Sequence, residues 1–332
     1  SRGPIVFDDL IHGKIVFPIS EIDDFVVVRS DGTPLYNFVV VVDDMLMNIS
    51  HVIRGEEHLS NTPRQILIYE AIGGKIPRFA HLPLILGNDG KKISKRDSTT
   101  SVIDYKRLGF IPEALLGYLV RLGWAHNDQE IFTIDEMIDL FDLKKVHLSG
   151  ATFDYDKLLW VNSCFIKNLS KEEIYTRFRH YNLINDFEWC KDWNIYQKFE
   201  CILLHRDRAK TLVDIIEGCE KTYNRPVCFG FDSEFFEKSV LPNVSFLKIF
   251  LSEIRNDKNV PFSGDIVSSI IKKFCSKHDI KIAGFFKVIR FALFNAEASV
   301  SICSLIGVIG FTEAISRINF FLKELKREGI NG

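Results

Sequence analysis

The hydrophobic positions in the first part of the chain fall into short runs rather than long periodic stretches. Two of these runs, FVVVR at 25–29 and FVVVV at 38–42, consist almost entirely of β-branched and aromatic residues. Runs of this kind are typical of strands that are buried on both faces of a sheet. Shorter segments at 5–7, 15–17 and 51–54 have a similar apolar content. We therefore predict strands at each of these places.

A helix is predicted shortly after the strand at 51–54. Thr62 can cap its first turn, Pro63 suits that turn because no N–H donor is needed there, and Gln65 can complete a capping box. Two glycines at 73–74 mark the end of the helix. The alternation of strand and helix predicts an α/β fold with a parallel sheet.

The pattern changes after a further predicted strand at 82–86. That strand leads into GNDG at 87–90, where Asp-Gly supplies the positive φ angles of a tight turn. Pro112 then opens a predicted helix, and Thr133 and Ser170 each begin a capping box because a glutamate follows three residues later. The remainder of the chain has helical apolar spacing throughout.

These patterns divide the chain into three predicted parts. Residues 1–88 form an α/β part, residues 89–163 a mixed connecting part, and residues 164–332 an all-helical part. A chain of 332 residues, 46% of them hydrophobic, is long enough to build more than one core. The predicted fold class is therefore α/β, followed by a mixed region and an all-α domain.

The charge of the chain argues against general electrostatic binding of nucleic acid or membranes. The formal net charge is only −2 and the isoelectric point is near 6.5, so any attraction for an anionic partner must be local. One such region is 266–332, where lysine and arginine outnumber aspartate and glutamate. The longest apolar stretch, at 302–311, is too short for a bilayer-spanning helix. We expect no membrane partner.

The seven cysteines form no CxxC pair and no cysteine–histidine set with the spacing of a zinc site. Their odd number also argues against a framework of disulfides. We interpret them as reduced thiols of a cytoplasmic protein, and we expect no metal site within the chain.

The segment GKKISKR at 90–96 places four cations beside a tight turn. Lysine heads on flexible stems, together with backbone N–H groups, can meet phosphate oxygens. Short clusters of lysine and arginine are also common at solvated hairpin tips. The spacing by itself therefore leaves a phosphate site and a solvated turn both open.

The surroundings of this segment resemble a known enzyme family. The run from PLYNF at residue 34 to SKR at residue 96 closely resembles the second half of the catalytic domain of bacterial-type glutamyl-tRNA synthetases, which belong to class I. Within that run, residues 92–96 stand where the family carries its KMSKS-type loop. The resemblance covers essentially the whole chain, because it continues through YKRLGF at 105–110, FDYDKLLWVN at 153–162 and RFALFN at 290–295.

The resemblance implies both a fold and an activity. The three predicted parts would be the second half of a Rossmann-type catalytic domain, the KMSKS loop with a stem-contact region, and a helical anticodon-binding domain. The activity would be the ATP-dependent ligation of L-glutamate to tRNA(Glu) through a glutamyl-adenylate, with ATP and Mg²⁺ as cofactors. L-glutamate and tRNA(Glu) would be the partners of a cytoplasmic monomer. Neither chemical step needs a protein nucleophile, so positioning and electrostatic stabilisation would carry catalysis.

The same resemblance implies an ATP-binding segment. Lys92 and Lys95 would be the catalytic residues, because their ammonium groups would neutralise the departing pyrophosphate. The full ATP-binding segment would consist of Lys92, Ile93, Ser94, Lys95 and Arg96.

Two further sets of residues are implied by the resemblance. Glutamate would be bound by Tyr36, Arg54 and His58, with the guanidinium of Arg54 gripping the side-chain carboxylate. Anticodon contacts would come from Arg290, Ser299 and Ile302.

Several of these residues also have plainer interpretations. A tyrosine beside a strand is often a core residue, an arginine at a strand end often lies at the surface, and a histidine near a helix start is often structural. Asp43 and Asp44 suggest an acidic pair, but adjacent residues on a strand face opposite ways. We therefore predict no dyad at that position.

One signature of the family is absent from the sequence. Class I synthetases carry a HIGH-like tetrad early in the fold, whereas the nearest match here, His12-Gly13, has a strand-turn context. The cysteine-bearing insertion that binds zinc in some members is also missing. We therefore expect this chain to be the C-terminal portion of a synthetase, poorly active alone. The alternative is a tRNA-binding module without enzymatic activity that keeps a vestigial nucleotide loop.

Overall fold

The structure is a computed structural model that describes residues 3–87, 89–91, 101–181, 190–254, 264–296 and 300–330. Its internal contacts divide the chain into two units. The first, which we call the sheet unit, comprises Ser1–Ser101 and Pro112–Val161, and the second, the helical unit, comprises Val102–Ile111 and Asn162–Gly332. The predicted order of an α/β part before an all-helical part is confirmed, while the boundaries at 88 and 163 remain a prediction.

The sheet unit is built around a four-stranded sheet with the order β2-β1-β4-β3. Its strands are β1 Ile5–Asp9, β2 Gly13–Phe17, β3 His51–Gly55 and β4 Arg78–Leu82. The first three confirm the predicted strands at these places. Strand β4 begins and ends earlier than the predicted strand at 82–86, of which only β5, Ile85–Leu86, is present.

The sheet is mixed, which corrects the expectation of a parallel sheet. Strands β3 and β4 pair in parallel, as do β1 and β4, but β1 and β2 are antiparallel. The connection between β1 and β2 is only a tight turn that ends at Gly13, whose φ is +74°. A turn of that length cannot cross over the sheet, so the two strands must run in opposite directions. The predicted strand-turn context of His12-Gly13 is confirmed.

Other elements complete the sheet unit and lead into the helical unit. They are α1 Tyr36–Leu46, the 3-10 helix Glu56–Asn61, α2 Thr62–Ala71, α4 Pro112–Arg121, α5 Ile134–Leu140, β6 Ala151–Thr152 and α6 Tyr155–Asn168. Strands β5 and β6 form a separate parallel pair.

The predicted strand at 38–42 is wrong, because these residues lie within helix α1. Phe38, Val41 and Met45 recur at helical spacing and pack in one cluster with Tyr69 of α2. Val41 is fully buried there, whereas Val39 on another face is exposed. A short apolar run is compatible with a buried strand and with one side of a helix. Here the packing against α2 favours the helix.

The predicted strand at 25–29 is also wrong. This segment forms an irregular hairpin with a single isolated bridge between Val28 and Pro34. Its turn has the predicted chemistry, because Asp31 Oδ1 accepts a hydrogen bond from Thr33 N at 2.8 Å and Gly32 has a φ of +87°. The turn folds the apolar run back on the residues that follow it, and Leu35 N donates to Val27 O at 2.9 Å.

Helix α2 has the predicted length, but its start differs from the prediction. Asn61 is the N-cap, and Thr62 is already the first helical residue. Gln65 does not close a capping box, since its Nε2 donates to Asn37 Oδ1 at 3.0 Å. The capping boxes that begin at Thr133 and Ser170 are confirmed.

The helical unit has a core dominated by phenylalanine and isoleucine. Its helices are α3 Val102–Arg107, α7 Lys171–His180, α8 Ile195–Arg206, α9 Leu212–Tyr223, α10 Val244–Ile254, α11 Gly264–Lys277, α12 Ile282–Phe294, α13 Ile302–Ile309 and α14 Phe311–Arg327. Phe285 of α12 lies at the centre, with ring centroids 5.2 Å from Phe250 and 5.1 Å from Phe274.

In the described ranges, no single helix is long and apolar enough to cross a membrane. Only α13 and α14 taken together pass a test of length and composition, and they are bent by 109° at the break between them.

Replacing Phe285 with alanine should lower the free energy of unfolding by about 3–5 kcal/mol, because the ring is fully buried among other aromatic rings. Urea unfolding followed by circular dichroism measures the change. Ile282→Ala, at a partly exposed position of the same helix, is the matched control and should cost less than about 1 kcal/mol. Equal losses for the two variants would contradict the packing described above.

Candidate functional site

Four elements of the sheet unit converge on the side chain of Arg54. Arg54 lies near the end of β3, and its register partner on the parallel strand β4 is His81. The 3-10 helix and α2 follow β3 directly and carry His58 and Thr62. Parallel strands end at the same edge of a sheet, so side chains that are distant in sequence meet there.

The guanidinium of Arg54 is held by three uncharged acceptors. Its Nε donates to His81 Nε2 at 3.1 Å. Its Nη2 donates to Thr62 Oγ1 at 2.8 Å and to the carbonyl oxygen of His58 at 3.4 Å. The group also lies over the ring of Phe79, with Cζ 5.8 Å from the ring centroid. Arg54 is therefore a half-buried, oriented cation and not a side chain extended into solvent.

His81 and Asp9 form a buried pair behind Arg54. His81 Nδ1 lies 2.6 Å from Asp9 Oδ2, and both side chains are fully buried. The other oxygen, Oδ1, accepts backbone N–H groups of Ile11, His12 and His81 at 2.9, 3.0 and 3.3 Å. Burial by itself raises the pKa of Asp9, but these hydrogen bonds and the one from the imidazole hold it below its ordinary value.

The partners of His81 determine its protonation. Its Nδ1 faces a carboxylate, which can only accept, so Nδ1 carries a hydrogen. Its Nε2 faces the Nε–H of Arg54, which can only donate, so Nε2 must offer a lone pair. Burial and, to a smaller degree, the charge of Arg54 lower the pKa of His81, although Asp9 opposes them. His81 is thus a neutral imidazole in the Nδ1–H form.

Tyr36 and His58 flank the guanidinium of Arg54 on its more open side. Their ring centroids are 5.8 Å apart, and Tyr36, the first residue of α1, is 51% exposed. Burial lowers the pKa of Arg54, and the interaction with the Tyr36 hydroxyl opposes this only in part. His58 Nδ1 is 3.2 Å from Asn61 Nδ2. The structure therefore brings together the three residues that were predicted to bind glutamate.

Asp44 also interacts with Arg54 through its charge, although the sequence did not predict it as a site residue. It lies on α1 rather than on a strand, and it accepts a hydrogen bond from the hydroxyl of Tyr69 at 3.4 Å. Burial raises the pKa of Asp44, while Tyr69 and Arg54 lower it. Burial and the neighbouring Asp44 raise the pKa of Tyr69 to about 12. The prediction that Asp43 and Asp44 lie on a strand is wrong for the reason given for α1.

Asp9, Thr62 and His81 were not predicted as site residues. Asp9 and His81 reach Arg54 through the register of β3 against β4 and of β1 beside β4, whereas Thr62 follows Arg54 by eight residues at the start of α2. The strand predicted at 82–86 began one residue after His81, so the sequence placed this histidine outside the sheet. A strand assigned to 78–82 would have paired His81 with Arg54.

The predicted ATP-binding segment, Lys92 to Arg96, lies outside the described residues. The turn that precedes it is described in part and matches the prediction. Gly87 N donates to Lys91 O at 2.8 Å, and Gly90 has a φ of +73°. Lys91 N also donates to Asp89 Oδ1 at 3.0 Å.

The helical unit carries a second candidate site at a cavity of about 550 Å³. Arg208, Lys221 and His205 contribute to its lining. Burial lowers the pKa of Arg290 of α12, and the charge of Arg208 lowers it further. This part of the helical unit therefore carries positive charge from more than one side chain.

The other predicted anticodon residues differ from Arg290. Ile302 is 3% exposed and packs in the core at the start of α13, so its side chain supports the fold rather than a surface contact. Ser299 lies outside the described residues. Elsewhere in the described part of the chain, no three His, Cys, Asp or Glu side chains come together as a metal site would require.

Family models and known proteins match the chain over nearly its whole length. A family model described as tRNA synthetases class I (E and Q), catalytic domain, matches residues 1–160. A second, described as an anticodon binding domain, matches residues 170–322. The chain is 39% identical over 324 residues to glutamate–tRNA ligase 1 of Aliarcobacter butzleri, with 97% of this chain and 67% of that protein covered. Glutamate–tRNA ligase 1 of Helicobacter hepaticus gives the same identity and coverage.

Solved structures show the same likeness. A glutamate tRNA ligase from Elizabethkingia meningosepticum, crystallised in complex with its amino acid, superposes with a TM-score of 0.81 at 31% identity. The glutamate-tRNA synthetase of Elizabethkingia anophelis superposes with a TM-score of 0.79, also at 31% identity. In both cases 96% of this chain and 66% of the other chain are covered. The chain thus spans about two thirds of the length of its relatives.

The neutral state of His81 should make the protein sensitive to acid. The folded protein holds this pKa below 6.5, whereas the unfolded chain titrates near 6.5, so below about pH 6.5 the unfolded chain binds more protons. The free energy of unfolding should therefore fall as the pH drops from about 6.5 through the lowered folded pKa. Urea unfolding at several pH values measures this slope.

His81→Gln should unfold with a shallower loss of stability over the same pH window, because glutamine does not titrate. His51→Gln, which changes an exposed histidine at the other end of β3, is the matched control and should keep the slope of the wild type. If His81→Gln and the wild type had the same slope, His81 would not be neutral in the folded protein.

Proposed function

The chain belongs to the glutamate–tRNA ligase family of class I aminoacyl-tRNA synthetases, and we propose that it serves the ATP-dependent ligation of L-glutamate to tRNA(Glu) in the cytoplasm. The single observation that supports the amino-acid specificity is the state of Arg54. Among the residues that the structure describes, no carboxylate lies within ion-pair distance of its guanidinium, although the group is half-buried. A buried charge without a counter-ion is costly, so an anionic ligand is the natural occupant of this position.

Arg54 would bind the side-chain carboxylate of glutamate. Its neutral partners orient the planar guanidinium without cancelling its charge, so little side-chain entropy remains to be lost when the ligand binds. Glutamine has an amide in place of the carboxylate, and an amide NH₂ group would meet only N–H donors there. A site built to pair with a carboxylate therefore rejects the amide.

Tyr36, His58 and Asp44 would complete the amino-acid pocket. Tyr36 and His58 form the partly exposed rim beside the guanidinium. Asp44 places negative charge on α1 close enough to Arg54 to be felt by both groups. An amino acid carries an ammonium group as well as carboxylates, so a pocket with both signs of charge suits it.

The chemistry would proceed in two steps. A carboxylate oxygen of glutamate attacks the α-phosphorus of ATP, the bond to the bridging oxygen breaks, and pyrophosphate leaves. A ribose hydroxyl at the tRNA end then attacks the glutamyl carbonyl and releases AMP. On the sequence argument, Lys92 and Lys95 would neutralise charge on the leaving pyrophosphate. Mg²⁺, bound mainly through ATP phosphates, would supply further charge compensation.

The helical unit would bind tRNA through the rim of its cavity. Arg208 and Lys221 line the cavity, the charge of Arg208 is felt by Arg290, and these cations would attract tRNA phosphates. A ligase and a tRNA-binding module without enzymatic activity would both need these cations. Arg54 distinguishes the two functions, because only a ligase binds glutamate.

Arg54→Lys should raise the KM for L-glutamate by about 30-fold, since losing one charge-assisted hydrogen bond costs about 2 kcal/mol. The KM for ATP should stay within about 2-fold of the wild type. Glutamate-dependent pyrophosphate exchange by the full-length gene product measures both values. Arg78→Lys, at an exposed position at the start of β4, is the control, and an unchanged KM for glutamate in Arg54→Lys would refute the assignment.

Arg208→Gln should weaken tRNA binding by about 10-fold and should reduce the dependence of log Kd on log salt by about one counter-ion. Filter binding over a range of salt concentrations gives both numbers. Lys323→Gln removes an exposed cation from α14 and should change neither. A salt slope that stays the same in Arg208→Gln would show that the cavity rim does not meet a phosphate.

A further inference from the structure

We propose that Asp9 and His81 are positioning residues, which aim the guanidinium of Arg54 at the glutamate carboxylate by fixing the tautomer of an intervening imidazole. This inference rests on the proposed function of Arg54. It concerns two residues that would touch no substrate themselves, because both are fully buried behind the guanidinium.

The two carboxylate oxygens of Asp9 have different hydrogen-bond partners. Oδ1 accepts three backbone N–H groups, from Ile11, His12 and His81. Among the described residues, the partner of Oδ2 is the imidazole Nδ1 of His81, at 2.6 Å. The three N–H groups belong to the turn after β1 and to β4, so they lock the carboxylate in one orientation. The atom opposite His81 is therefore always an acceptor.

The acceptor at Asp9 Oδ2 determines which nitrogen of His81 offers a lone pair to Arg54. An acceptor at Oδ2 requires Nδ1–H, and a neutral imidazole with Nδ1–H must have a lone pair at Nε2. That lone pair is the acceptor for Arg54 Nε–H at 3.1 Å. The carboxylate thus orients the guanidinium through the imidazole, and it remains too far away to neutralise it.

The other tautomer of His81 would disrupt the hydrogen bond to Arg54. With a hydrogen on Nε2, the imidazole would point a donor at the Nε–H donor of Arg54. Its other neighbour, Thr62 Oγ1 at 3.1 Å, has two lone pairs and could accept from both Nε2 and Arg54 Nη2. The contact that holds Arg54 Nε would therefore be the one that is lost. Arg54 would lose its fixed direction while keeping its charge.

A purely structural role explains the pair less well. Burying a carboxylate and an imidazole costs desolvation free energy, and apolar residues of similar size would fill the same space with less penalty. The pair is better explained by the contact of His81 with Arg54, because it orients that guanidinium without neutralising its charge. Residues that orient a metal ligand from behind commonly change metal affinity by about 10–100-fold when they are altered, and we expect an effect of the same order on the carboxylate affinity of Arg54.

Asp9→Asn tests this inference, because it replaces one carboxylate oxygen with an amide NH₂ group. The amide oxygen must take the place of Oδ1 to keep its three N–H donors, so the amide NH₂ must face His81 Nδ1. Nδ1 then becomes the acceptor, and the hydrogen moves to Nε2. We expect ¹⁵N NMR of labelled histidine to report Nδ1–H for His81 in the wild type and Nε2–H in Asp9→Asn.

The kinetic consequence should be confined to glutamate. In the full-length gene product, Asp9→Asn should raise the KM for L-glutamate by about 10-fold or more, with the KM for ATP unchanged. Because Asp9 acts through Arg54, the double variant Asp9→Asn/Arg54→Lys should be no worse than Arg54→Lys alone. Asp8→Asn, on the exposed face of the same strand, is the matched control and should match the wild type.

The outcomes separate this inference from the proposed function. If Arg54→Lys leaves the KM for glutamate unchanged, the proposed function of Arg54 fails. If Arg54→Lys raises that KM but Asp9→Asn switches the tautomer without effect, or if the effects of the two variants add, the positioning role alone is overturned. If Asp9→Asn does not fold, the wild-type spectrum decides, and an Nε2–H form of His81 there would overturn the inference.

Discussion

The arrangement of the candidate site in the sheet unit depends on one interaction, the hydrogen bond from the guanidinium of Arg54 to a neutral imidazole. A carboxylate in that position would have formed an ion pair and cancelled the charge, and a hydrophobic residue would have left the guanidinium free to rotate. The imidazole of His81 does neither, because it accepts one hydrogen bond without bringing a charge. The result is a cation with a fixed direction in a partly desolvated place, which is what recognition of a small carboxylate needs.

The helical unit uses charge in a different way. Its buried arginine, Arg317, is satisfied within the fold, by Glu313 and by the carbonyl oxygens of Leu293 and Tyr223. Arg208 lines a cavity of this unit, and its charge lowers the pKa of Arg290. Arg317 stabilises the fold, whereas we propose Arg208 and Arg290 for contacts with tRNA phosphates.

Much of the local structure could be predicted because it depends on neighbours in sequence. The capping boxes at Thr133 and Ser170, the length of α2 and the turn at Asp31 all rest on contacts between residues two to four apart. Helix α1 could not be recognised in the same way, since five consecutive apolar residues fit a buried strand and one side of a helix equally well. Packing of Val41 against α2 decides between them.

The sequence by itself determined the family, the order of an α/β part before a helical part, and the prediction that Arg54, Tyr36 and His58 lie together. Motif resemblance and short-range chemistry were sufficient for these conclusions. Only the tertiary structure decided what surrounds Arg54, because Asp9 and His81 lie 72 residues apart and reach it through the pairing of parallel strands. Strand register has no local code, so the direction of the key cation depends on a property that the fold alone supplies.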